Sequence, residues 1–278
     1  MAQPALRRDP ASAWLALKIA VVCVYIFILT PILITAAVSF NGTERSVFPP
    51  QGFSMRWWGE AFDAKWMQPL AFSLKLGGLT ALIATAAGLP LAFALVRHAF
   101  PGKRLVELLT VGPLILPTLV TGIALLQFLH LMRLDGLVGY WALLIGHVVI
   151  CLPFTVRTVA IGLRAMPAGV EHAASSLGAS PLRTLREVTL PLISGGVFAG
   201  IAFAFIHSFT DVNLSLFVAR PGERPVTVAI LSFLEFGFAP TLAAVSMITL
   251  VIPLALVAVL ERFVRIGDFL HGERFGNA

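Results

Sequence analysis

Residues 171–191, EHAASSLGASPLRTLREVTLP, form a polar insert between two long apolar stretches, and their spacing decides how the rest of the chain is read. Counted from Ala168, the residues Val170, Ala173, Ala174 and Leu177 recur at helical spacing and make one apolar face. Glu171, His172, Ser175 and Ser176 occupy the other sides. Gly178 suits the left-handed residue just past a helix end, where a Cβ would clash. Ser180 followed by Pro181 predicts an N-cap with proline at the first helical position. Beyond it, Leu182, Leu185 and Val188 form a second apolar stripe, and Arg183 and Glu187 are spaced for an i, i+4 ion pair. The insert therefore predicts a short helix, a glycine turn and the start of another helix. Two readings of this pattern stand open. The small Ala173 and Ala174 would let a partner's backbone approach closely, whereas an amphipathic segment lying on a membrane surface carries the same spacing.

The composition sets the surroundings of that insert. Of 278 residues, 58% are hydrophobic and only 12% are charged, with a mean hydropathy of +0.91. Soluble domains carry charge on roughly a quarter of their residues, so this is an integral membrane protein whose solvent includes the lipid bilayer. The net charge of +6 follows the membrane and does not call for nucleic acid. Cys23 and Cys151 both lie in apolar stretches, which predicts neither a disulfide nor a metal site. No GxxxxGK[ST] phosphate loop occurs in the sequence, so any ATP that drives this chain is expected to be held on another polypeptide.

Apolar windows predict an all-α protein with six transmembrane helices, over about 14–39, 70–96, 105–129, 139–160, 190–212 and 241–262. The corresponding division is a tail over 1–13, a first helix over 14–39 and an outer loop over 40–69. A transmembrane domain follows over 70–262 with the polar loop at 161–189, then a tail over 263–278. The run after Arg7-Arg8 is too long for the core of a cleaved signal peptide, and is expected to remain as the first span. Basic residues set the orientation. With the N-terminus inside, twelve fall on the cytoplasmic side: Arg7, Arg8, Arg97, Lys103, Arg104, Arg157, Arg164, Arg183, Arg186, Arg262, Arg265 and Arg274. Six fall outside: Arg45, Arg56, Lys65, Arg133, Arg220 and Arg224. Both termini and the 161–189 loop are thus expected in the cytoplasm. Trp57, Trp58 and Trp66 in the outer loop suit an interfacial aromatic belt.

The insert resembles the cytoplasmic signature loop of bacterial ABC importer permeases, whose pattern is Glu-Ala-Ala, three residues, Gly, nine residues, Ile-x-Leu-Pro. Here the count runs His172-Ala173-Ala174, Gly178, then Val188-Thr189-Leu190-Pro191, with Glu171 just before His172. Residues 73–97, SLKLGGLTALIATAAGLPLAFALVR, resemble the second-span region of these permeases. Ser208-Phe209-Thr210-Asp211, Ser215-Leu216-Phe217 and Ala239-Pro240-Thr241-Leu242-Ala243-Ala244-Val245-Ser246 are similar to the C-terminal region of the spermidine/putrescine-type members. Thr210-Asp211 departs from the usual acidic pair, and Ala239 replaces an Asp.

The resemblance implies a type I ABC importer permease fold in a bacterial inner membrane. Its partners would be two cytoplasmic ATP-binding subunits, a second permease (or a second copy of this chain) and a periplasmic substrate-binding protein. It implies no cofactor bound by this chain, because the ATP belongs to the partner ATPase. The coupling loop would consist of Glu171, His172, Ala173, Ala174, Gly178, Ser180, Pro181, Leu190 and Pro191. A polyamine-like organic cation is the favoured cargo, with iron, thiamine, phosphonate or another small organic solute as alternatives.

Polar groups within spans are costly and mark functional positions by default. His207 and Asp211, at i and i+4 in the fifth span, and the nearby Asn213 are candidates for a substrate path. Asp211 beside water at the outer interface is the competing account. His147 reads as a helix-to-helix hydrogen bonder. No catalytic constellation or metal-ligand set is apparent. A proton-coupled secondary transporter is the competing class, and it calls for more ionisable residues in mid-span than this chain has.

Overall fold

A computed structural model describes residues 10–235 and 237–272, with side chains over 14–235 and 237–262. Arg7, Arg8 and Arg274, on which the orientation argument partly rests, lie outside the described residues, as does the Arg265 side chain. The described chain is helical, and no β-strand occurs in it beyond an isolated bridge between Arg220 and Glu223. It divides into two compact units, Met1–Asp63 with Phe236–Ile248, and Ala64–Glu235 with Thr249–Ala278.

In the first unit, α1 (Pro10–Val38) is apolar on every side, and none of its most apolar window is buried. That is the property of a helix surrounded by lipid or by another subunit. The loop after it is organised by Asn41, whose side-chain oxygen accepts from the Gln51 amide at 2.8 Å and whose amide donates to the Arg45 carbonyl at 2.7 Å. Trp57, in α2 (Arg56–Ala61), donates its indole N–H to the Asn41 carbonyl at 2.6 Å. Arg56 bridges Glu60 and Glu44 at 2.9 and 3.2 Å, and these carboxylates hold its guanidinium above its ordinary value.

The second unit is built on three helices: α3 (Ala64–Arg97), α6 (Tyr140–Ala165) and α10 (Ser194–Thr210). Small residues let them approach closely, as membrane helices without a hydrophobic driving force require. A Cβ on Gly88 of α3 would lie 3.0 Å from the Thr155 side chain of α6. One on Gly196 of α10 would lie 2.6 Å from the Thr158 carbonyl oxygen. Leu76, Ala84, Leu143, Ile150, Cys151 and Ala204 fill one core, and Ala92, Leu95, Val159, Leu163 and Ile193 fill another. Lys75 of α3 places its ammonium 5.0 Å from the Tyr140 ring centre, so this cation within a span has an aromatic partner.

Four described segments are long and apolar enough to cross a membrane as single helices: Trp14–Val38, Ala64–Arg97, Tyr140–Ala165 and Pro240–Arg262. The last belongs to α13 (Pro240–Gly272). The other two expected spans each answer to a bent helix pair, so the six expected spans are found when each pair counts as one. The third divides into α4 (Lys103–Ile115) and α5 (Thr118–Leu131), bent by 108°. Leu116 precedes Pro117 and is extended, at φ −80° and ψ 135°, the conformation that a following proline ring favours. The fifth is bent by 68° between Pro181–Leu192 and Ser194–Thr210, at Ile193. It ends at Thr210 where the sequence predicts 212, since Asp211 adopts ψ 133° and leaves the helix.

The tryptophan expectation also changes. Trp57 and Trp66 are 4% and 2% exposed, so their rings pack inside protein and do not float in an interfacial belt. Trp66 meets Phe233 of α12 (Val226–Leu234) with ring centres 5.1 Å apart.

Candidate functional site

The polar insert folds as its spacing predicts. Met166, before Pro167, is extended and ends α6. After Gly169, at φ +87°, the helix α7 runs Val170–Ser176. Its far end closes with the Ala179 amide on the Ala174 carbonyl (3.1 Å) and the Gly178 amide on the Ser175 carbonyl (3.0 Å), with Gly178 left-handed at φ +86°. This paired closure is the Schellman arrangement, which needs a residue without a Cβ penalty at that point. Ser180 then accepts from the Arg183 amide, and Pro181 opens α8 (Pro181–Thr184). A π-helical turn (Leu185–Thr189) and α9 (Leu190–Leu192) complete the segment before the bend at Ile193. Arg183 and Glu187 form the expected ion pair at 2.9 Å, fully on the surface.

The apolar face of α7 splits in two. Val170 and Ala174 are half-buried, whereas Ala173 is exposed and Leu177 is 89% exposed. His172 and Gly178 are exposed beside them. An exposed leucine next to an alanine and a glycine is a small, shallow apolar surface that another backbone can approach. Leu190 and Pro191 play a different part. Both are half-buried, and Leu190 packs into the Leu163–Ile193 core, anchoring the insert to the bundle.

Glu171, expected among the polar sides of the helix, turns toward the protein. Its carboxylate meets the Arg97 guanidinium at 3.2 Å and accepts from the Thr189 hydroxyl at 2.9 Å. No sequence spacing joins residues 97, 171 and 189, so these partners could not be read in advance. The only hint was an arginine closing an apolar span.

The substrate-path candidates do not converge. Asp211 is buried, and one carboxylate oxygen accepts from both the amide and the hydroxyl of Ser215, at 3.0 and 3.1 Å. Ser215 opens the short helix α11 (Ser215–Val218). His147 of α6, fully buried, bonds Ser208 through Nδ1 at 2.7 Å and Ser215 through Nε2 at 3.0 Å, and that nitrogen also lies 3.6 Å from Asp211. Asp211 is thus one member of a closed polar node that ties α11 to α6 and α10. His207 points elsewhere, half-buried, with its ring centre 5.0 Å from that of Phe154. Asn213 is exposed and donates to the Thr118 hydroxyl at 3.3 Å, beside the break between α4 and α5. Because the helix ends between His207 and Asp211, their i, i+4 spacing makes no hydrogen bond, and the carboxylate acts on the imidazole only through space. A cavity of about 470 Å³ lies apart from the node, with Lys65, Gln68, Arg220, Arg224 and Ser232 in its lining.

Comparison with known proteins gives these features a context. Residues 84–266 match the family described as binding-protein-dependent transport system inner membrane component. The chain is 33% identical over 235 residues to the spermidine/putrescine transport system permease protein PotC of Escherichia coli K12, covering 84% of this chain and 88% of that protein. It is 27% identical over 247 residues to a putative 2-aminoethylphosphonate transport system permease protein, PhnV, of Salmonella typhimurium, covering 89% and 93%. Among solved structures, a bacterial alginate ABC transporter in complex with a pentasaccharide-bound periplasmic protein aligns with a TM-score of 0.72 at 14% identity, over 95% of this chain and 98% of that one. The MetNI methionine ABC transporter aligns with a TM-score of 0.59 at 18% identity, over 72% and 93%.

Proposed function

This chain belongs to the family of binding-protein-dependent transport system inner membrane components, and from that premise we propose how it works as the permease subunit of an ABC importer. It is a multi-pass protein of the inner membrane with the type I importer fold. Together with a second permease it encloses the translocation path, and each permease carries one ATPase on its cytoplasmic face. ATP is bound and hydrolysed by those ATPases and not by this chain. A periplasmic binding protein delivers cargo from outside, and both termini lie in the cytoplasm. Closure of the ATPase pair moves α7 and reorients the cavity between inward and outward access.

The observation that carries this reading is the exposed Ala173–Leu177–Gly178 surface of α7, closed by a left-handed glycine and anchored through Leu190. Leu177, exposed beside Ala173 and the left-handed Gly178, offers a shallow apolar surface to which a partner's backbone can come close. The test is co-expression with the ATPase, followed by co-purification and uptake. Ala173→Asp places a charge on the contact. Gly178→Val forces a β-branched residue into positive φ, at a cost of about 1–2 kcal/mol. Each is expected to abolish both uptake and ATPase association while the protein still inserts. Retention of both by Ala173→Asp would show that α7 is not the dock.

Polyamine is the favoured cargo, supported by the similarity to PotC and to the putrescine permease PotI. A phosphonate is the second reading, favoured by one structural observation: three cationic side chains line the 470 Å³ cavity. Such a lining attracts an anionic group and repels an ammonium. Competition of labelled putrescine uptake by spermidine, but not by 2-aminoethylphosphonate, supports the first. Uptake of labelled 2-aminoethylphosphonate, with none of labelled putrescine, supports the second.

A further inference from the structure

We propose that Glu171 is a positioning residue that carries movement of the docking helix α7 into α3 and α10, through a brace formed with Arg97 and Thr189. The inference rests on the reading of α7 as the ATPase dock and adds the route by which its movement leaves the loop.

The geometry of one carboxylate carries the argument. One oxygen of Glu171 meets Arg97 at 3.2 Å, on the last residue of α3, and the other accepts from Thr189 at 2.9 Å, on the last residue of the π turn. The end of α3 and two elements of the 171–191 insert therefore meet on a single side chain. Thr189 is 1% exposed, and the Arg97 and Glu171 side chains are 36% and 32% exposed. The pair is more shielded than Arg183–Glu187, at 65% and 61%, which is the kind of exposed ion pair that contributes little.

The backbone leaves this brace to fix the attitude of α7. The helix is flanked by two left-handed glycines, Gly169 and Gly178, and neither has any atom within 4 Å of where a Cβ would stand. Ser175, the other bonded polar side chain on α7, only bonds back to the Glu171 carbonyl within the helix. Adjacent residues thus divide the work: His172 and Ala173 face outward, while Glu171 holds the helix to the bundle. What it holds is well placed to move. Helix α3 is 34 residues long and packs along α6 and α10, so its end behaves as the end of a lever. Thr189 leads through α9 and the 68° bend directly into α10. A shift of α7 pulls on both.

A passive staple and a transmitter predict different losses, and the assembled importer separates them. The chain, its ATPase and its binding protein are reconstituted in proteoliposomes, and ATPase co-purification, ATP hydrolysis and solute uptake are measured together. Arg97→Glu sets two carboxylates against each other. It is expected to keep the ATPase and its hydrolysis but to lower solute imported per ATP by about two- to thirtyfold, the range for residues that transmit coupling without touching a ligand. The charge-swapped pair R97E/E171R is expected to recover most of that ratio, because the Thr189 hydroxyl can accept from an arginine as readily as it donates to a carboxylate. Thr189→Val should show a smaller loss in the same direction. An unchanged ratio in Arg97→Glu overturns the proposal, as does loss of the ATPase from that variant or failure of the swap to restore the ratio. Absence of the ATPase from the wild-type preparation sinks the docking reading instead, and this inference with it.

Discussion

Replacing Asp211 with alanine separates a structural role for this buried acid from a role in the substrate path. In the structure its carboxylate satisfies the Ser215 amide at 3.0 Å and the Ser215 hydroxyl at 3.1 Å, and Ser215 is fully buried. Alanine removes the acceptor. The hydroxyl keeps His147 at 3.0 Å, but the amide loses this partner. Stranding a buried donor costs about 1–3 kcal/mol, and loss of the second hydrogen bond adds about 1 kcal/mol, so the total is about 2–4 kcal/mol. At about 2–4 °C per kcal/mol for a chain of this size, the midpoint of unfolding in detergent should fall by about 5–15 °C. Asp211→Asn retains an oxygen acceptor, so its loss should be about 1 kcal/mol. His147→Ala acts on the same node, and its effect should be non-additive with Asp211→Ala, because the two residues share Ser215. The assay is thermal unfolding followed by size-exclusion of the detergent-solubilised protein, with uptake measured in parallel. The node account is refuted if Asp211→Ala leaves the midpoint unchanged while uptake of a cationic solute collapses. That result would place the carboxylate in the path of the cargo.

Two further outcomes are expected. Gly196→Ala should destabilise by about 1–3 kcal/mol, since its methyl would lie 2.6 Å from the Thr158 carbonyl. Gly78→Ala has open space around it inside α3 and should stabilise by up to about 1 kcal/mol; equal effects of the two in thermal unfolding would contradict the packing described. For the orientation, cysteines at Ser54 and Gly222 in a Cys23→Ser background should react with an impermeant maleimide from outside, and one at Ser176 should not. Strong outside reaction at Ser176 would reverse the topology and remove the dock from the cytoplasm.

Much of this protein was written in local order. The helix–glycine–helix form of the insert follows from φ preferences and capping chemistry, which act over a few residues, so Gly178, Ser180 and Pro181 could be placed from sequence alone. The spans follow from apolar length, because lipid demands about 20 residues whatever their neighbours. The breaks at Leu116 and Ile193 did not follow in the same way. Proline 117 marks a permitted kink, but neighbouring helices decide whether the chain bends there and by how much. The deepest difference lies in the polar residues. His207, Asp211 and Asn213 are close in sequence, and the end of α10 at Thr210 sends them to three different surroundings. Arg97, Glu171 and Thr189, distant in sequence, meet on one carboxylate. Side-chain partnerships across elements depend on where helices end and how closely they pack. Those are properties of the assembled bundle, not of any local run of residues.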